Sequence, residues 1–425
     1  MKTAWLISVG TELTLGQTVD TNAAWLAQRL AAFGLRAPRH VTVPDEVDAI
    51  RDVLLEAAAA ADVILVTGGL GPTEDDLTRH ALAAAAGVGL ELHQPSVEQI
   101  RARFAARGRE MPRTNTIQAM IPQGGQAIPN ARGTAPGLRL TLGGVPCFVM
   151  PGVPAEMREM FDADIAPVLA AAADGAVLAS RCVHTFGLGE SMIGERIKDL
   201  MVRGRNPEVG TTADLGVVGV RINVRAASRA EADAQLEATE AELRRRLGVV
   251  VFGHDADTLP SVVGGLLTAA GATVATAESC TGGMIGAMLT DVPGSSAYYR
   301  GGAVTYANDA KIELLGVPQG DLEAHGAVSE PVARAMAAGA ARILRADYAV
   351  GITGIAGPTG GTPDKPVGLV YIGIHTPAGT RVHERRLGYD SARPVIRMWA
   401  ARTALNLLRL ALLEANTAPP LREGA

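Results

Sequence analysis

Val63-Ile64-Leu65-Val66-Thr67-Gly68-Gly69-Leu70-Gly71-Pro72-Thr73-Glu74-Asp75-Asp76 starts as an unbroken aliphatic run, turns through glycines and ends in carboxylates. A short apolar run that stops at glycine reads as a buried strand, and acids after such a turn suit the positive end of a helix. Strand, glycine turn and helix start together make a place where backbone N–H groups can receive a phosphate. The reading predicts a strand over 62–67 and a helix over 73–86. Asp75 and Asp76 would then sit in the helix's first turn, where they could also hold a divalent cation bridging phosphate oxygens. The ordinary alternative is a tight turn capped by Thr73, its acids serving the helix dipole alone.

To either side the same alternation continues. Ala4 to Val9 reads as a strand and Thr21 to Phe33 as a helix, with Asp20 or Thr21 as N-cap and Gly34 just past its end. Pro146 to Met150 is a strand that runs into Pro151-Gly152-Val153-Pro154, and Ala155 to Leu169 follows as a helix. Strands alternating with helices argue βαβ units and a mostly parallel sheet. The Ala-rich residues 170–180 read as a linker. About 75 residues then run β-α-β-β-α-β, the order of a small α+β domain. A second boundary falls near His254 to Pro260, and the remainder is again α/β, ending in a helix from about Ser391 to Glu414 and a Pro-rich tail.

Composition bounds the function. The chain has 425 residues, 48% of them hydrophobic and only 4% aromatic, so its cores must be built from small aliphatic side chains on glycine-tight turns. A net charge of −5 with no basic stripe gives no footprint for a phosphate backbone, so nucleic acid is not expected as a partner. Cys147, Cys182 and Cys280 are too far apart in sequence for a disulfide framework or a zinc knuckle, which fits a reducing cytoplasm. The short apolar start reads as a first strand, and no membrane span is expected.

The second chemical constellation lies further on. Ala272 to Glu278 reads as a strand that delivers Ser279-Cys280-Thr281-Gly282-Gly283 to a turn, with the helix Met284 to Thr290 behind it. A nucleophile so placed would find helix-start N–H groups able to stabilise an oxyanion, and the position alone serves Ser279 and Cys280 equally. Val304 to Lys311 puts Tyr306 at a strand end and Lys311 on the first turn of the next helix. A serine with a buried lysine and a nearby tyrosine can act as nucleophile and base. Against this stands the common case of a capping serine and a surface lysine.

Family resemblance sharpens both readings. Thr67 to Asp76, Met150 to Met157, Gly10-Thr11-Glu12-Leu13 and Asp20-Thr21-Asn22 resemble the signatures of the molybdopterin-cofactor-binding fold. Ala277 to Gly283, Gly294-Ser295-Ser296, His325 to Glu330 and Gly351 to Pro358 resemble the C-terminal domain of the competence/damage-inducible CinA family, and residues 180–253 resemble its KH-type domain. The resemblance implies three α/β or α+β domains: 1–172 (molybdopterin-binding-like), 180–253 (KH-type) and 258–417 (deamidase). In the last it implies hydrolysis of the carboxamide of nicotinamide mononucleotide, with Ser279 as nucleophile, Lys311 as base and Tyr306 orienting. Thr281, Gly282, Gly283, Thr353, Gly354, Arg393 and Arg397 would line the substrate site, without a metal. The two arginines, four apart on one helix, would pair with the 5′-phosphate.

For the N-terminal domain the resemblance implies ADP-ribose pyrophosphatase activity. A divalent metal, magnesium or a similar transition metal, would be held by Glu12, Asp75 and Asp76, with potassium as a further candidate ion. Gly68, Gly69, Gly71 and Thr73 would contact phosphate. The KH-type turns Gly187 to Glu190 and Gly204 to Pro207 lack the basic loop of an RNA clamp, so that domain reads as a spacer or dimerisation module. The family also implies a cytoplasmic homodimer engaged in pyridine-nucleotide recycling. The competing readings are a molybdopterin-like ligand-binding protein and a non-catalytic competence or DNA-damage scaffold.

Overall fold

The computed structural model describes residues 2–171, 177–388 and 392–417. The chain is mixed α/β and divides into two compact units, one of residues 1–179 with 224–235, the other of residues 180–223 with 236–425.

The first unit is built on a six-stranded sheet of β1 (Thr3–Val9), β2 (Arg36–Val43), β3 (Val63–Thr67), β4 (Gln126–Ile128), β5 (Gly137–Leu142) and β6 (Val145–Met150), in the order β2-β1-β3-β6-β5-β4, with a separate small pair of strands, Leu90–Leu92 and Met120–Pro122. The first four in that order are parallel, and β5 and β4 close the edge antiparallel. All of β3 is buried, as expected of a parallel strand covered on both faces. The two-residue period of β1 divides its side chains between two cores. Trp5, Ile7 and Val9 join Ile50, Leu54 and Ile64 on one face, while Ala4 and Leu6 join Leu26, Leu30 and Phe148 on the other.

The helix after β3 runs Thr78–Ala86, five residues later than the sequence reading placed it. The cause is Asp76, whose carboxylate accepts from the N–H of Gly71 (2.6 Å) and of Thr73 (2.9 Å) and from the Thr73 hydroxyl. The bonds fold residues 71–76 back on themselves as a loop, so Asp75 and Asp76 precede the helix instead of opening it. Gly68 must be glycine: its φ is +101° and a Cβ there would lie 2.2 Å from the Val9 carbonyl oxygen. The helix Thr21–Ala31 is capped by Asp20, whose side chain accepts from Ala23 N.

The middle segment has the expected β-α-β-β-α-β order. Its strands are β7 (Val177–Phe186), β8 (Glu208–Asp214), β9 (Val217–Ala226) and β10 (Val251–His254), in the order β8-β9-β7-β10. Of the Ala-rich linker, residues 172–176 lie outside the described residues; from Val177 the chain is already strand.

The C-terminal sheet orders its strands β12-β11-β13-β14-β15, from β11 (Val274–Glu278), β12 (Tyr299–Val304), β13 (Tyr348–Gly354), β14 (Leu369–Thr376) and β15 (Gly379–Arg386). β11 lies between β12 and β13, parallel to both, so its C-terminal end is the middle of the parallel part. Glycine lets the helix Glu330–Leu344 lie close on this sheet, since a Cβ on Gly351 would meet Ala337 N at 2.4 Å and one on Gly373 would meet Ala333 O at 2.5 Å. The final helix runs Arg393–Thr417; Ser391 and the Pro-rich tail lie outside the described residues.

Candidate active site

Where β11 ends, Glu278 is buried, Ser279 half-buried and Cys280 buried. The chain turns through Gly282 (φ +63°) and Gly283 (φ +92°) into the helix Met284–Thr290. The Glu278 carboxylate reaches forward under this turn and accepts from the N–H of Gly283 (3.0 Å), Ile285 (3.1 Å) and Gly286 (2.8 Å). Those helix-start donors, expected to face an oxyanion, are therefore occupied by a side chain. Neither the Cys280 nor the Thr281 N–H donates to a backbone carbonyl among the described residues; both lie against the Cys280 sulfur, donors of the turn not held by Glu278 or the backbone.

The two candidate nucleophiles stand in different electrostatic states. Burial pushes the Cys280 thiol up to about 12, which keeps it protonated and inert. The Ser279 hydroxyl makes no hydrogen bond to any described residue, while its N–H donates to Ile352 O (3.0 Å) and ties it to the end of β13. Lys311, on the helix Asn308–Leu315, is only 1% exposed, and its ammonium donates to two neutral carbonyls, Thr305 O at 2.8 Å and Tyr306 O at 3.2 Å. No carboxylate pairs with it among the described residues, and burial moves its pKa down from the usual lysine range. Thr305 N in turn donates to Glu278 O (2.9 Å), so the lysine is held against the segment that carries Ser279.

Tyr306 lies two residues beyond β12, with its side chain exposed, and its hydroxyl accepts from Arg393 (2.7 Å). Arg393 also donates to Gly357 O (2.8 Å). Arg397, one turn on, donates to Cys280 O (3.1 Å) and Thr281 O (2.7 Å). Neither arginine forms an ion pair among the described residues, so two guanidinium charges stand unneutralised beside the serine turn. Thr353 departs from expectation: it is 1% exposed and its hydroxyl donates to Ala327 O (2.8 Å), so its proton is spent on fixing the 325–329 segment. Gly354 stays in the ladder with β14.

In the first unit a cavity of about 450 Å³ opens at the C-terminal ends of β1, β3 and β6, where the order of strands reverses. Glu12, Gly68, Gly69, Gly71, Asp75 and Asp76 line it, as do Asp45, Thr134 and Glu156. Thr73 does not, and its N–H and that of Gly71 are taken by Asp76. Among the described residues no three acidic, histidine or cysteine side chains converge to hold a metal ion. Glu12, Asp75 and Asp76 thus share a cavity without forming a metal cage. Beneath the loop Arg79 is 1% exposed and donates to Leu70 O (2.5 Å) and Gly71 O (3.2 Å); burial brings it down to about 10.

Three family descriptions match the chain in succession: "Probable molybdopterin binding domain" over residues 5–171, "Damage-inducible protein CinA KH domain" over 180–253 and "CinA C-terminal domain" over 256–412. A CinA-like protein of Gloeobacter violaceus is 45% identical over 408 residues, covering 96% of this chain and 96% of its own length. The chain belongs to the CinA family. A CinA-like protein of Frankia casuarinae is 44% identical over 415 residues, covering 96% of this chain and 95% of its own. A solved competence/damage inducible protein of Agrobacterium tumefaciens matches 36% of this chain and 93% of its own at 47% identity, with a TM-score of 0.35.

Within this CinA chain, sequence reasoning quoted Glu278 without giving it a role and overlooked Arg79, Asp45 and Asn130, whose amide donates to Glu156 (2.8 Å). A usable signal existed for Glu278. An acid that ends a buried strand just before two glycines and a helix is placed to cap that helix. For Arg79 there was none, because an arginine in a helical run reads as solvent-facing until the loop above it is known.

Proposed function

We propose that the C-terminal domain hydrolyses the carboxamide of nicotinamide mononucleotide to nicotinate mononucleotide and ammonia, with Ser279 as nucleophile and Lys311 as base. The observation that carries this reading is Lys311: buried, free of carboxylates and bonded only to neutral carbonyls, its amine is biased toward the form that can take a proton. When substrate binds, Nζ exchanges a carbonyl for the Ser279 hydroxyl. It takes that proton as Oγ bonds to the carboxamide carbon, and the oxyanion is met by the Cys280 and Thr281 N–H groups. The C–N bond then breaks, Lys311 returns the proton to the departing nitrogen, and ammonia leaves. Water, deprotonated by the same amine, hydrolyses the ester and restores Ser279. Arg393 and Arg397 supply charge for the 5′-phosphate, and the Arg393 bond orients Tyr306.

Acid-quenching the protein during turnover and weighing its peptides tests this directly. The reading expects an adduct with the mass of the nicotinate mononucleotide acyl group, placed on Ser279 when its peptide is fragmented; an adduct placed on Cys280 would overturn it.

A second activity, cleavage of ADP-ribose in the N-terminal cavity, is favoured by the carboxylates Glu12, Asp45, Asp75 and Glu156 on its lining around the Gly68-Gly69 turn. A phosphorylated ligand entering so acidic a cavity needs cations of its own. The expected result is AMP release that requires added divalent ion and falls at least about tenfold, the scale of a lost charged contact, in Glu12→Gln. Release unaffected by chelator would overturn this reading. Both activities would serve pyridine-nucleotide recycling.

A further inference from the structure

The second unit holds a larger cavity than the N-terminal one, of about 630 Å³, and neither proposed reaction uses it. Its walls are mainly apolar, with Phe186, Leu188 and Val218 on one side and the final helix on the other. Two polar groups on that helix are incompletely satisfied. The Trp399 indole N–H is buried with no acceptor. Arg409 is only 3% exposed, and all its acceptors are neutral: Asn406 Oδ1 at 2.9 and 3.0 Å, and Val249 O at 2.6 Å. Its Nη1 has no partner among the described residues. A buried guanidinium without a counter-charge is costly, and burial lowers its pKa accordingly. The one carboxylate among the lining residues, Glu190, is exposed and already accepts from the Thr211 hydroxyl (2.8 Å).

We infer that this cavity is a binding site for a small amphipathic carboxylate, its apolar body against Phe186, Leu188 and Val218 and its anionic end on Arg409. Size and lining fit a small-molecule site, with a buried cation in an apolar enclosure. The same helix carries Arg393 and Arg397 to the serine turn, so an occupant would rest on the element that holds Cys280 and Thr281 in place.

Calorimetric titration of the full chain with 2-naphthoate and with its neutral isostere 2-naphthamide tests the inference without recourse to activity. The expected result is naphthoate binding at least tenfold tighter than the amide, with Arg409→Gln erasing that preference. Leu188→Trp, which fills the cavity from a loop and leaves the helix intact, should abolish binding of both. Equal affinity for the two probes, binding of neither, or naphthoate binding that survives Leu188→Trp would each overturn it. Should Arg409→Gln fail to fold, the wild-type preference and Leu188→Trp still decide.

Discussion

Ser279 and Cys280 are neighbours with opposite prospects. The half-buried hydroxyl is unbonded, while the thiol is buried and held up near 12. Removing the Cys280 thiol should therefore leave turnover within about threefold, since a thiol that stays protonated takes no part in the proton transfers. In the proposed mechanism Lys311 sets the pH dependence. Its active form is the neutral amine, so activity is lost as pH falls through the lysine's pKa, and burial places that loss below the range of an ordinary lysine. A kcat/KM profile should rise through one ionisation on the acid side, and Lys311→Met should remove both the limb and the activity. A rise only in the range of a free lysine would contradict the account. The serine was legible in the sequence, because a strand ending in a small nucleophile before two glycines is a local pattern. Its advantage over the cysteine was not, because burial is set by residues far along the chain.

At the scale of elements, Glu278 replaces the usual N-cap of the helix Met284–Thr290 and makes three charge-assisted bonds from beneath the turn. Glu278→Ala would leave three N–H groups unsatisfied, at a cost of about 2–4 kcal/mol, measurable in urea unfolding, and would loosen the serine turn so that kcat falls with little change in KM. Gly351→Ala tests the close approach of helix and sheet. Its Cβ would press on Ala337 N, and overpacking of that kind costs about 1–3 kcal/mol. The strand that ends at Glu278 was readable to within two residues, and the helix Met284–Thr290 was placed without error. The helix after β3 was not, since Asp76 turns back onto Gly71 and Thr73, and a side chain bonding its own loop leaves no trace in apolar spacing.

For the whole molecule, the three successive family matches agree with the α/β, α+β, α/β order read from the chain, and the small-residue composition is explained where helices rest on bare glycines. Among the described residues no helix is long and apolar enough to cross a membrane. The arrangement of Arg393, Arg397 and Tyr306 became clear only in three dimensions, because the partners of each arginine lie between 36 and 117 positions away in sequence. The function proposed for the C-terminal domain is that of a serine-dependent amidase supported by a buried lysine. Ammonia release from nicotinamide mononucleotide, measured with chelator present for the wild type, Ser279→Ala, Cys280→Ala and Lys311→Ala, addresses that claim most directly. The account predicts turnover in the wild type and Cys280→Ala and a loss of at least about a thousandfold in the other two; ammonia released by Ser279→Ala at the wild-type rate, or none released by the wild type, would contradict it.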